Sequence, residues 1–211
     1  MKLGLIGVAV VGMGFAGCGL VPAVTVDNPF GMDAKQIAVS MGATGNLRTG
    51  GTALGAGVSG TGTLEDTFAD IASLPATPKA FDFNLPLDAK VTVEGDAQPD
   101  TVVLSDVSLD LSLSDAAHTA PLALSVPFDG TVTLTRQADG SYLAASTVNP
   151  DPATLAFLAI VEPTVLPTVI DILTQGGENT VRATVHFNAS DLNAGETVTV
   201  TFQGTKGTVS F

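Results

Sequence analysis

Cysteine is almost missing: 211 residues hold one, Cys18. With no second thiol, no intramolecular disulfide can form. The fold must rest on its core and its backbone hydrogen bonds. Tryptophan is absent, and one tyrosine, Tyr142, stands beside ten phenylalanines. The core must therefore be built from Val, Leu, Ile, Ala and Phe. Basic residues are also few: eight Lys and Arg face 21 Asp and Glu, for a net charge of −13. Phosphate binding needs clustered Lys and Arg, and no basic stripe exists, so no nucleic acid partner is expected. The same deficit argues against peripheral attraction to anionic lipid. The opening apolar run, LGLIGVAVVGM at 3–13, falls short of the roughly 20 residues that a spanning helix needs.

What is present is a hydrophobic content of 45%, ordinary for a folded chain, arranged with a period of two. VSLDLSLSD (107–115) puts Val107, Leu109, Leu111 and Leu113 on one face and Ser108, Asp110, Ser112 and Ser114 on the other. That is a strand with one buried and one wetted side. VTVEG (91–95) and TVRATVHF (180–187) read as strands. TVTLTRQADGSYLAAS (131–146) reads as a hairpin around Asp139-Gly140, and TVTVTFQGTKGTVSF (197–211) as another around Gly204 and Gly207. The fold class is therefore mainly β, an antiparallel β-sandwich or barrel.

Two stretches depart from this pattern. TLEDTFADIASL (63–74) spaces Leu64, Phe68 and Ile71 as one face of a short helix. DPATLAFLAIVEPTVLPTVIDILTQGG (151–177) is apolar on most faces and is broken by Pro163 and Pro167. Interior prolines end helices, so a proline-broken helical insertion near 152–174 is expected, as two short helices at 152–162 and 165–174. Phe157, Ile160, Val165, Leu166, Val169 and Ile170 are its candidate interface or ligand residues. If exposed, they would form a contact surface for a lipid or protein partner. Residues 42–62 hold eight glycines, which disfavour a helix. GAGVSG (55–60) matches G-x-G-x-x-G, but Thr61-Gly62-Thr63 follows it and no βαβ alternation surrounds it. The dinucleotide reading is set aside.

The chain opens with Met1-Lys2, the apolar run and the small-residue stretch GFAGC, the layout of a secretory signal. Phe15-Ala16-Gly17-Cys18 resembles the lipobox of bacterial lipoproteins, with Phe15 where that family usually has Leu. The resemblance implies a diacylglycerol on the Cys18 thiol and cleavage just before it. Gly19 after the cysteine, rather than Asp, implies the outer membrane. The expected organisation is a signal peptide at 1–17, a tether at 18–34, a Gly-rich β subdomain at 35–75, and an antiparallel β domain with the helical insertion at 76–211.

Chemistry-bearing constellations are sparse. No G-x-S-x-G, H-E-x-x-H or paired C-x-x-C occurs. The two histidines are His118, in the loop SDAAHTAP, and His186, on the polar face of its strand with Arg182 and Thr184. In class and address the chain is similar to the copper superoxide dismutases, acidic extracytoplasmic β proteins whose copper is held by histidines including an H-x-H pair. No H-x-H occurs here. What the resemblance implies is copper, as a minor alternative, on a degenerate site of His118 and His186. The leading expectation has no cofactor: a non-catalytic lipoprotein of the bacterial cell envelope. It would be held to the outer membrane or cell surface by lipid on Cys18. It would serve as an accessory subunit among the envelope proteins of a surface layer or outer-membrane complex. An apolar-ligand or lipid-binding protein is the further alternative.

Overall fold

The computed structural model describes residues 21–43, 48–49, 52–53, 57–96, 98–128, 130–147, 156–175 and 177–211. Eight strands close into an antiparallel barrel: β2 (Gln36–Ala43), β5 (Val58–Ala69), β7 (Lys90–Glu94), β8 (Thr101–Ser114), β10 (Val132–Arg136), β11 (Tyr142–Ser146), β13 (Glu178–Ala189) and β14 (Thr197–Thr201). Around the ring the order is β10-β11-β7-β14-β2-β5-β13-β8, and β8 returns to β10 through Leu104 opposite Val132. β9 (Leu122–Pro127) extends the far end of β8. A second antiparallel sheet of β1 (Val24–Asp27), β15 (Lys206–Ser210), β6 (Ala80–Pro86) and β12 (Ala156–Ile160) runs in the order β1-β15-β6-β12. A two-residue pair, β3 (Arg48–Thr49) and β4 (Thr52–Ala53), and one helix, α1 (Leu166–Gln175), complete the described elements.

The period-two pattern explains the walls. Leu109, Leu111 and Leu113 of β8 are buried, as are Val181, Ala183, Val185 and Phe187 of β13. The inner faces of barrel and second sheet meet in one hydrophobic cluster. Full burial of a Phe or Leu side chain is worth about 1.5–3 kcal/mol, so this cluster dominates stability. The wall is tightest at Gly60 and Gly62 of β5. A Cβ on Gly60 would stand 2.6 Å from Val39 Cγ1 and 2.7 Å from the Ser40 carbonyl oxygen. One on Gly62 would stand 2.7 Å from Ile37 Cγ2. Glycine here lets β2 lie close against β5 with its large side chains turned inward. Part of the glycine density thus has a packing cause. Val58-Ser59-Gly60 of the GAGVSG stretch lies in strand β5.

Several expectations are corrected. Residues 63–69 belong to β5, not to a helix: the ladder to β13 runs from Val58 opposite Ala189 to Ala69 opposite Glu178. Phe68 is still buried, but the backbone follows the twelve-residue ladder and overrides the local helical spacing. Of the two helices expected in 152–174, the second is α1. In place of the first, Ala156–Ile160 is strand β12, paired with β6 from Pro86 to Asp82; residues 152–155 lie outside the described residues. A five-residue apolar run carries no period of its own, and the β6 partner decides it. The 197–211 hairpin does not form. β14 pairs with β2 and β7 in the barrel, whereas β15 pairs with β1 and β6 in the second sheet. The 131–146 hairpin does form, with Gly140 at φ 84° in its turn. Residues 24–34 are folded rather than a tether: β1 pairs with β15, and Phe30 and Met32 are fully buried. Nor are 35–75 and 76–211 separate sheets, because β2 and β5 sit between β14 and β13.

The chain crosses between layers twice at one place. Segment 28–35 leads from β1 to β2, and segment 202–205 leads from β14 to β15. Asn28, Gly31 and Ala34 take φ of 49°, 67° and 63°, so the first crossing is a tight left-handed knot. Thr205, 1% exposed, fastens the two. Its amide N–H donates to Asp33 Oδ1 at 2.7 Å, and its hydroxyl reaches Asp33 Oδ1 at 2.6 Å and Asn28 Oδ1 at 3.1 Å. The backbone closes the junction through Asn28 N–H to Thr205 O and Ala34 N–H to Phe202 O. Phe30 enters the core from this knot. It meets Phe68 of the barrel at 6.2 Å and Phe83 of the second sheet at 5.3 Å, edge to face. Replacing Thr205→Val keeps the volume and removes the hydroxyl, so the half-buried Asp33 carboxylate loses a donor. The expected cost is about 1–3 kcal/mol, read as a lower urea midpoint with an unchanged slope. An unaltered midpoint would show that the junction does not depend on this hydroxyl.

Candidate functional site

Three groups of residues were singled out from the sequence. Cys18 lies outside the described residues. The two histidines are both placed. His186 projects outward from β13, opposite Ser108 of β8, with its Nδ1 3.1 Å from Thr61 Oγ1. His118 follows the end of β8 beyond Ser114 and is turned against Asp115. Six strand residues, about 20 Å at ~3.3 Å each, separate Ser108 from Ser114. The two imidazoles therefore do not converge on one ion. Among the described residues no three His, Cys, Asp or Glu side chains form a group able to hold a metal.

Asp115 is the most buried carboxylate of these surroundings, its side chain 1% exposed. Its Oδ1 accepts the Ala117 N–H at 2.7 Å, the His118 N–H, and the His118 ring at 3.0 Å. Desolvation pushes the carboxyl up. The hydrogen bonds from the His118 ring and from the two backbone N–H groups outweigh it, and the Asp115 carboxyl is held below its usual range. Chemically the pair closes the turn after β8: Asp115 N–H also donates to the His118 carbonyl.

The six candidate interface residues divide by exposure. Phe157, Leu166 and Val169 are core, and Val165 and Ile170 are partly buried against it. Only Ile160 is exposed, at 75%, and it is joined by Leu158 at 69%, which the sequence reading missed. Both point away from the core on β12, the last strand in the second sheet's order. Among the described strands β12 is hydrogen-bonded to β6 alone, and β9 comes close to it without a ladder. The signal for Leu158 was available only once the run was known to be a strand, because a period of two then puts it beside Ile160. The interior offers less. The cavity enclosed by Leu104, Leu134, Phe157, Val185 and Phe187 holds about 20 Å³, the room of roughly one water. Phe128 and Phe157, 5.9 Å apart and edge to face, are part of its lining. Leu166, Val169, Ile172 and Leu173 of α1 are buried in the core. Among the described residues no helix is long and apolar enough to cross a membrane.

The Asp115 turn has a pH signature. A carboxyl whose folded value is depressed contributes stability that is fully present above its unfolded value of 3.8. That contribution is lost as the pH falls through the folded value. Asp115→Asn is expected to lower stability at neutral pH by about 1–3 kcal/mol and to flatten the acid limb of stability against pH. Equal acid slopes in the two proteins would contradict the assignment.

No family model matches the chain, and no curated protein matches it. Among solved structures, TmCBM61 in complex with beta-1,4-galactotriose aligns over 85% of this chain and 94% of its own, at 11% identity and a TM-score of 0.28. At that score it carries no argument about fold detail or function.

Proposed function

We propose that this protein is a non-catalytic module of the bacterial cell envelope, held to a membrane by lipid on Cys18 and docking an envelope protein along β12. The observation that carries the reading is the pair Leu158 and Ile160, 69% and 75% exposed on an edge strand. Such an edge presents backbone N–H and C=O groups beside apolar side chains, the arrangement that an added strand recognises. The occupant is an extended segment of the partner, with apolar residues at alternate positions to meet Leu158 and Ile160. Lost translational and rotational freedom costs any such association about 4–15 kcal/mol, so a short edge alone gives a modest affinity. Two-dimensional confinement at a membrane raises the effective concentration of the partner and compensates.

The lipobox resemblance at Phe15-Ala16-Gly17-Cys18 supports the address, and the filled barrel interior supports a surface role over one inside the barrel. The reading is tested on full-length protein extracted from its own membrane in mild detergent. Intact mass is expected to show a chain beginning at Cys18 with acyl groups added, and Cys18→Ala is expected to release the body into the soluble fraction. An unmodified thiol in a soluble wild-type chain would remove the anchor.

Leu158→Asp and Ile160→Asp are expected to abolish co-purification of the envelope partner. Both side chains face water, so the melting temperature should barely move. A wild-type chain that purifies alone and monomeric after crosslinking in the intact cell would overturn the docking role.

A further inference from the structure

Three shallow grooves open side by side where the described chain begins. The first, about 330 Å³, lies between Val21, Pro22 and Val24 on one side and Leu74 and Pro75 on the other. The second, about 310 Å³, lies between Ala76 and Pro78 and the start of α1 at Pro167 and Ile170. The third, about 280 Å³, shares Leu74 with the first and Ile170 with the second. The proline-rich segment 72–78 runs through all three, tied at its root by the Ile71 N–H donating to the Leu173 carbonyl of α1. In a chain of net charge −13, one charged residue lines these grooves, Asp171. Ala72, Pro75 and Pro167 are exposed.

We infer that this face lies against the bilayer surface, with segment 72–78 and the first turn of α1 at the level of the lipid headgroups. The inference rests on the proposed anchor and adds an orientation to it. Two observations meet here. Cys18 precedes Val21, a lining residue of the first groove, by three residues, and three residues span at most about 10 Å of backbone. The groove linings also carry a single carboxylate, Asp171, with Glu162 exposed just ahead of α1 and Asp70 at the root of the segment. An anionic membrane repels a carboxylate within a Debye length, about 8 Å at physiological salt. A strongly acidic body tethered this closely settles with a face of few carboxylates inward. The small volumes and the short apolar side chains suit contact with the interface rather than deep insertion.

The absence of tryptophan makes the test clean. Single tryptophans are placed in the full-length protein at Ala72→Trp and Pro167→Trp on the proposed face. Leu143→Trp, on the outer wall of β11, serves as the control. Each protein is reconstituted with vesicles of phosphatidylethanolamine and phosphatidylglycerol carrying brominated acyl chains. Fluorescence at 72 and 167 is expected to be quenched and blue-shifted, and at 143 to be unchanged. Two probe positions guard against one variant failing to fold. Intact mass of the same preparations reports acylation separately. Acylated protein with no quenching at 72 or 167 overturns the orientation and leaves the anchor standing. Unacylated protein removes the anchor, and the probes still decide the face: quenching at 72 and 167 supports it, and its absence overturns it.

Discussion

The hydroxyl and amide of Thr205 hold two crossings of the chain together, and the two-layered body depends on that junction. β1, near the start of the described chain, and β15, at its end, form half of the second sheet. Neither can reach that sheet without leaving the barrel strand next to it in sequence, β2 or β14. Each departure exposes backbone polar groups at the layer boundary, and buried groups of that kind must find partners. The Asn28–Asp33–Thr205 network supplies them. Pairing residues so far apart in sequence carries a loop-closure cost that local contacts do not offset. The junction acts where that cost is highest. Phe30 belongs to the same knot, so the polar clasp and the aromatic contact between layers are made or lost together.

Alternation was legible wherever one face met water. β8, β10 and β13 could be read from Leu109-Leu111-Leu113, Thr133-Thr135 and Thr184-His186 because the polar partners mark the outside. Where the outward residues are also apolar, the period disappears. Phe157-Leu158-Ala159-Ile160 looked like a buried helix, since nothing in the run says that Leu158 and Ile160 face solvent. In β5 the opposite error arose. Leu64, Phe68 and Ile71 happen to fall at helical spacing, while the determinant, a ladder to β13, lies more than a hundred residues away. Gly204 looked like a hairpin turn because a layer crossing and a reversal both call for a left-handed residue. Only the half-buried partners of Thr205, at Asn28 and Asp33, separate the two. The histidines illustrate the same limit for the site. Their residue type was visible, but their separation along β8 was not.

The charge distribution orders the surface more than it stabilises the fold. Lys90–Asp139 is an exposed pair with both side chains more than half accessible, and pairs of this kind contribute about 0–1 kcal/mol. The Lys35–Asp66 pair lies on a less exposed stretch, and the Lys35 ammonium beside it holds the Asp66 carboxyl below its usual range. Neither competes with the apolar cluster. The excess of 13 negative charges instead sets how the body meets other surfaces. Like charge opposes the close approach of copies, and in the proposed orientation it turns most of the acidic surface away from the bilayer.

The second sheet then joins the two proposed contacts. Its order, β1-β15-β6-β12, puts the strand that follows the anchor at one edge and the strand bearing Leu158 and Ile160 at the other. Three strand spacings, about 14 Å, lie between them. The outward rows across that distance are polar. One runs Asp27, Lys206, Asn84 to Leu158, and the next runs Thr25, Thr208, Asp82 to Ile160. A continuous apolar face would have drawn the whole sheet onto lipid and hidden the β12 edge. The polar rows break the surface into two apolar borders, so contact at one border leaves the other open. On this arrangement a rigid sheet transmits position: fixing the β1 border at the membrane fixes the height at which β12 meets its partner.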